Sequence, residues 1–220
     1  MAGWLERRRI MIKKNLKVLL ITSVVMLLPI LAGLLLWNQL PEQIPTHWNA
    51  AGEIDGWSSK PFAVFGLPLL ILAIHWVCVL GTSADPKKDC HPTKVVHLVL
   101  WICPVLSVFL NAVTYSVALG KEVRMEVVMP ILVGLVLTVI GNYLPKCKQN
   151  YTIGIKLPWT LSSEENWNKT HRFAGRLWTV CGLAIVLIGF FGGFWVFLPI
   201  VLVMVLAPFI YSYILYRKGV

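Results

Sequence analysis

Two polar stretches of the chain carry side chains suited to reactive or ligating roles. Between residues 150 and 176, Glu164, Asn168 and His171 are spaced i, i+4 and i+7, so a helix there sets a carboxylate and an imidazole on one face. A carboxylate near a helix start is favoured by the macrodipole, and an acid one or two turns from a histidine is suited to proton transfer. Arg172 and Arg176 form a second stripe at i, i+4. Between residues 38 and 60, His47, Glu53 and Asp55 are types that ligate metals, but their spacing follows neither a helical nor a cysteine-type pattern. Both stretches also have ordinary readings. The first is an interfacial helix whose acids cap and whose cations meet lipid phosphates, and the second is an ordered connector anchored by its tryptophans. Nowhere does a nucleophile stand with a base and an orienting group, and no H-E-x-x-H helix occurs. No catalytic residue, cofactor-binding residue or metal ligand is therefore assigned, and the chain is expected not to be an enzyme.

These residues must be positioned by membrane-spanning elements. A chain of 220 residues that is 57% hydrophobic and 14% charged, with a mean hydropathy of +0.73, lacks the charge to cover a soluble surface. A span needs about 20 mostly apolar residues. Val18–Trp37, Pro61–Gly81, Val95–Leu119 and the shorter Val127–Tyr143 qualify. The charge-free run from Leu177 to Tyr216 would be about 60 Å long as one helix, twice the hydrocarbon thickness, so it must turn back at Gly192-Gly193. The fold class is thus all-α, a polytopic membrane protein of six transmembrane helices. An N-terminal half, residues 1–125, carries an outer loop at 38–60. A C-terminal half, residues 126–220, carries a motif loop at 142–176.

Orientation follows from lysine and arginine. With the N-terminus inside, seventeen of the twenty, among them Arg7, Arg8, Arg9 and Lys88, face the cytoplasm, leaving only Lys60, Lys121 and Arg124 outside. Both termini are expected in the cytoplasm, with the first span retained as a signal anchor. The net charge of +10 then belongs to insertion and to contact with membrane lipid, and direct nucleic-acid binding is not expected. Cys78, Cys103 and Cys181 fall within spans while Cys90 and Cys147 face the reducing side, so disulfides are not expected.

In the outer loop Pro41 and Pro45 block a continuing helix, Asn49–Gly52 and Asp55-Gly56 supply turn chemistry, and Trp48 and Trp57 suit the headgroup level. In the motif loop Pro145 stops the fourth span, and Gly154 and Pro158 keep the apolar Ile153–Trp159 stretch from being a spanning helix. Ser162-Ser-Glu-Glu reads as a capping box, with Ser162 as N-cap and Glu165 reaching back, starting a helix that runs through Trp167, His171 and Trp178 into the fifth span. His75, His97 and Asn111 are candidates for inward-facing polar positions.

The stretch GNYLPKCKQNYTIGIKLPWTLSSEENWNKTHRFAGRLW closely resembles the signature of the SdpI family of bacterial membrane proteins, with its G-N-x-L-P, N-x-x-x-G-I, P-W-T-L, E-x-W and T-H-R elements. LPEQIPTHWNAAGEIDGW resembles the extracytoplasmic module that commonly precedes it. By this resemblance His47, Trp48, Asn49, Gly52, Asp55, Gly56, Trp57 and Lys60 match the outer motif, and Glu53 is grouped with them as toxin-facing. Asn142, Pro145, Asn150, Gly154, Pro158, Trp159, Thr160, Leu161, Glu164 or Glu165, Trp167, Thr170, His171 and Arg172 match the inner motif, while Lys156 stands where the family often has arginine. The resemblance implies a multi-pass protein of the bacterial cell membrane that gives immunity to a secreted peptide toxin and also draws a transcriptional repressor to the membrane. The alternative is a polytopic enzyme or small-solute carrier that uses Glu164 and His171 as an acid-base pair.

Overall fold

The structure, a computed structural model, describes residues 12–87, 92–191 and 194–220. Arg7, Arg8, Arg9, Lys88, Cys90 and the expected Gly192-Gly193 turn lie outside the described residues. Among the described residues six helices are long and apolar enough to cross a membrane. They are α1 (Leu16–Leu35), α2 (Leu67–Ser83, continuous with a π-helical turn at Phe62–Gly66), α3 (Thr93–Ala118), α4 (Met125–Tyr143), α6 (Glu164–Gly189) and α7 (Phe194–Arg217). The short α5 (Pro158–Ser162) precedes α6. Prolines inside α1, α3, α4 and α7 are tolerated because a bilayer leaves helical backbone few alternatives to internal hydrogen bonding. The chain divides into two compact units, residues 1–84 with 96–123, and residues 85–95 with 124–220.

In the first unit the loop after α1 is not irregular. It folds into an antiparallel hairpin of β1 (Gln43–Trp48) and β2 (Ile54–Ser59), with Pro45 opposite Trp57 and His47 opposite Gly56. Its base rests on a cluster of Leu40, Ile44, Ala63, Val64 and Tyr115, packed against Trp37 and Phe65. Tyr115 donates its hydroxyl to the Pro29 carbonyl at 3.1 Å, tying α3 to α1. Deeper, Leu19, Val79, Val96 and Leu100 pack together, and Thr22 Oγ1 lies 3.4 Å from His75 Nε2. His75 thus finds a hydrogen-bonding neighbour on another helix, and Asn111 is likewise buried, donating to the Ser107 carbonyl at 2.8 Å.

The second unit is built around an antiparallel seam between α4 and α6. A Cβ placed on Gly134 would lie 2.7 Å from the Gly182 carbonyl, one on Gly141 2.6 Å from the Thr179 nitrogen, and one on Gly175 2.6 Å from Pro145. The glycines repeat every seven residues on each helix, at 134 and 141 and at 175, 182 and 189. Without them the backbones could not approach this closely, which is how helices associate in lipid, where burying apolar side chains brings no hydrophobic gain. α7 joins through Trp178, whose Nε1 donates to the Met204 carbonyl at 2.9 Å, and through Phe173 stacked on Tyr211 with centroids 4.6 Å apart.

Gly182→Val is expected to push the helices apart and to cost about 1–3 kcal/mol by overpacking. Gly81→Ala, at a glycine with nothing within 4 Å, is expected to be neutral. Thermal unfolding of the two purified variants checks this, and equal midpoints would contradict the seam.

Candidate functional site

Two sites are distinguished, one in each unit. On the hairpin, Asn49 Oδ1 accepts from the Ala51 and Glu53 amides at 2.9 and 3.0 Å, and Gly52 takes a positive φ of 82°, which together build the turn. Gly56 is required opposite His47, since a Cβ there would meet His47 Cβ at 2.7 Å. The exposed His47 imidazole bonds through Nδ1 to the Asp55 carboxylate. Glu53 turns away to accept from Asn49 Nδ2 at 3.0 Å. Of the three residues of metal-ligating type, His47 and Asp55 therefore pair with each other, while Glu53 pairs instead with Asn49. Trp57 is 57% exposed beside them, with Ile54 also exposed and Trp48 half-buried.

Lys60 anchors the base. It is only 6% exposed, with Nζ 2.8 Å from Glu42 Oε1 and 3.3 Å from the Trp37 carbonyl, over the Trp37 ring. The hairpin can thus present an imidazole, carboxylates and an indole on a rigid support. The His47–Asp55 pair itself is solvent-exposed and worth about 0–1 kcal/mol, so it orients the ring more than it stabilises the fold.

The motif loop is a different kind of object. After a 3-10 turn at Leu144–Lys146 its backbone up to α5 is non-helical, and its polar groups are satisfied by motif side chains. Asn150, fully buried, accepts with Oδ1 from the Thr152 and Ile153 amides at 2.8 and 2.7 Å and donates with Nδ2 to the Lys148 and Ile153 carbonyls at 2.8 Å. Thr160 Oγ1 accepts from the Leu157 amide at 2.8 Å. Trp167 Nε1 donates to the Cys147 carbonyl at 2.8 Å within a cluster that includes Val95, Ile153 and Leu161. Burial pushes the Cys147 thiol up to about 11, so it stays protonated and serves as a packing residue.

His171, 1% exposed, is the centre of this arrangement. Its Nε2 accepts from the Ile155 amide at 2.9 Å and its Nδ1 donates to the Trp167 carbonyl at 2.8 Å, a neutral tautomer that these two partners assign. The ring stacks on Trp167 with centroids 4.0 Å apart. Gly154, at φ 119°, sits against His171 Nε2, and a Cβ there would also crowd the Trp167 ring at 3.1 Å.

The alternative of a Glu164/His171 acid-base pair finds no support in this geometry. Glu164 and Asn168 are exposed while His171 faces the loop, and both imidazole nitrogens are engaged by main chain. The cap is corrected by one residue. Ser162 closes α5, and Ser163, extended at φ −128° and ψ 119°, is the N-cap of α6, its hydroxyl accepting from the Asn166 amide at 3.1 Å. Glu165 pairs with Lys169 at 2.7 Å instead of reaching back to the cap.

Of the other inner-motif residues, Thr170 bonds Asn166 Oδ1 at 3.1 Å. The Trp159 ring lies among Phe209, Tyr213 and Tyr216, and Pro158 opens α5. Asn142, Pro145, Lys156, Glu164, Glu165 and Arg172 are exposed.

The profile of the SdpI/YfhL protein family matches residues 146–212, and that of a domain of unknown function, DUF1648, matches residues 24–72. Over 209 residues the chain is 30% identical to the protein of Bacillus subtilis (strain 168) named Immunity protein SdpI, covering 94% of this chain and 97% of that one. The chain belongs to the SdpI family. No solved structure matches it. As an SdpI-family chain with six helices fit to span a bilayer, it is a multi-pass bacterial membrane protein. The SdpI match takes in the motif loop from residue 146 on, with α5, α6 and most of α7, while the other takes in the second half of α1, the hairpin and the start of α2.

Sequence reasoning missed four residues that hold the SdpI segment together. Asp85, before α3, accepts from the Tyr151 amide at 2.9 Å and the Thr152 hydroxyl at 2.8 Å. Gln149 donates to the Thr160 and Leu161 carbonyls at 2.9 and 3.0 Å and accepts from Lys87 at 2.6 Å. Asn166 donates to the Ser212 carbonyl at 3.0 Å and accepts from the Ser212 hydroxyl at 2.7 Å, joining α6 to α7. Asn166 and Ser212 stand in segments that read as a plain polar face and a plain span, so only their contacts mark them.

Asn150→Ala leaves the part-buried Thr152 and Ile153 amides without their acceptor and is expected to cost about 2–4 kcal/mol. His171→Ala should be similarly damaging, and Glu164→Ala should change stability by less than about 0.5 kcal/mol. Unfolding of the three purified variants tests this, and matched losses for Glu164→Ala and His171→Ala would contradict the separation of the two residues.

Proposed function

We propose that this SdpI-family protein makes the cell immune to a secreted, membrane-active peptide toxin, with the hairpin as the surface that meets the peptide or shields its target. The observation that carries the reading is the near full-length likeness to a protein named Immunity protein SdpI. The hairpin supports it: His47, Asp55 and Glu53 offer polar contacts beside the exposed Trp57 and Ile54, a combination suited to an amphipathic peptide. In this reading both termini and the motif loop are cytoplasmic and the hairpin is outside, the arrangement that places most lysines and arginines inside. The chain then works as a half of residues 1–125 that faces the toxin and a half of residues 126–220 that faces the cytoplasm.

The motif loop would carry the second role, drawing a transcriptional repressor to the membrane. Its buried residues fix its shape, so a partner would read the exposed Lys156, Glu164, Glu165 and Arg172.

Challenge of sensitive cells with the cognate toxin tests the reading. Cells making the natural protein should survive, and a His47→Ala/Trp57→Ala variant inserted at the same level should lose protection. Equal survival would remove the hairpin from the mechanism, and killing of both would remove immunity. In the same cells a reporter fused after Lys169 should be cytoplasmic, and an exterior reporter would overturn the sidedness.

A further inference from the structure

The seam between α4 and α6 has a consequence for the surface beside it. The helices are antiparallel, Gly134 meeting Gly182, Gly141 meeting Thr179 and Pro145 meeting Gly175. The residue that follows each seam position turns away by about 100°, and in antiparallel helices the same rotation leads to the same side of the pair. On α4 these residues are Leu135 and Asn142, with Lys146 after Pro145, and on α6 they are Arg176 and Leu183. All five are exposed. Arg172 lies one turn before Arg176, and Val180 one turn after it, on the same exposed stripe.

The side so defined is divided along its length. Lys146, in the 3-10 turn that follows α4, and Arg172 and Arg176, where the apolar run of α6 begins, fall at the end of the side that lysine and arginine take at the headgroup level, with Asn142 on the same side. Leu135, Val180 and Leu183 continue it towards the middle of the spans. Among the described residues neither arginine has a carboxylate or hydrogen-bond partner, and Lys146 lies over the Tyr143 ring at 4.4 Å. Three cations on one side and at one end of the pair, with no acid paired to either arginine, favour an anion beside them.

We propose that this side of the α4–α6 pair is a binding site for an anionic phospholipid, with its phosphate held by Lys146, Arg172 and Arg176 and an acyl chain laid along Val180 and Leu183. Arginine suits the role because its planar fork meets phosphate oxygens in pairs, and the apolar stripe directly below the cations selects a lipid over a soluble anion. The site is independent of the toxin reading, which stands if the site fails.

The test uses the purified full-length protein in a neutral detergent, titrated with phosphatidylglycerol, phosphatidylcholine or inorganic phosphate and followed by native mass spectrometry and thermal unfolding. Phosphatidylglycerol should bind and raise the unfolding midpoint, and the other two should not. Lys146→Gln/Arg172→Gln/Arg176→Gln should weaken phosphatidylglycerol binding about a hundredfold, from about fivefold per cation. Lys146→Arg/Arg172→Lys/Arg176→Lys, which keeps the charge but moves the forks, should bind more weakly than the natural protein and clearly more tightly than the glutamine variant, which separates loss of charge from loss of fold. Lys13→Gln/Lys14→Gln/Lys17→Gln, which removes three exposed cations elsewhere, should also retain it. Equal binding of the two lipids, equal loss in the Lys13/Lys14/Lys17 variant, or displacement of phosphatidylglycerol by phosphate alone would each overturn the proposal.

Discussion

Backbone that leaves a helix at a membrane edge has to find its hydrogen-bond partners inside the protein, and the motif loop meets that demand with side chains. His171 gives an acceptor to the Ile155 amide and a donor to the Trp167 carbonyl, so one neutral ring closes the loop onto α6. Asn150 satisfies four main-chain groups within its own turn. Each such group left open in a poorly hydrated setting costs about 1–3 kcal/mol, so the loop's shape is specified almost residue by residue. Gly154 follows from the same arrangement, because only a residue without a side chain fits against the imidazole.

That closure in turn depends on the seam. Gly175 against Pro145 sets the distance between the end of α4 and the start of the apolar part of α6, and the loop that joins them is folded across this fixed gap. The buried motif residues therefore act as fasteners, while Lys156, Glu164, Glu165 and Arg172 are exposed. The hairpin uses a different economy. Its turn is held by Asn49, its base by the buried Lys60, and its reactive-looking His47 is exposed.

Much of this could be read in the sequence, and the limits have physical causes. Long apolar runs are an unambiguous signal, so six spans, the stop at Pro145 and the continuity of α6 through Trp178 were all legible. The cap fell one residue away because Ser162 and Ser163 offer the same hydroxyl, and only Pro158 starting a separate short helix decides between them. Spacing puts Glu164 and His171 on one helix face without saying what that face meets, so the closure of His171 onto the loop is not visible in it. Strand alternation is weak in Gln43–Trp48, where Pro45 interrupts it, and the hairpin was seen only as turn chemistry. The seven-residue glycine repeat was visible and is the signal that would have found the seam. Asp85 is sixty-six residues from Tyr151, and no local pattern joins them.

Hydrogen–deuterium exchange of the protein in lipid bilayers measures the central claim most directly, at the amides of Thr152, Ile153, Ile155 and Leu157. The account predicts exchange as slow as in the first turns of α6, because each amide is held by a buried side chain. Exchange of all four at the rate of an unstructured peptide would contradict it, since the motif would then be a free loop and its shared residues would owe their identity to something other than the fold.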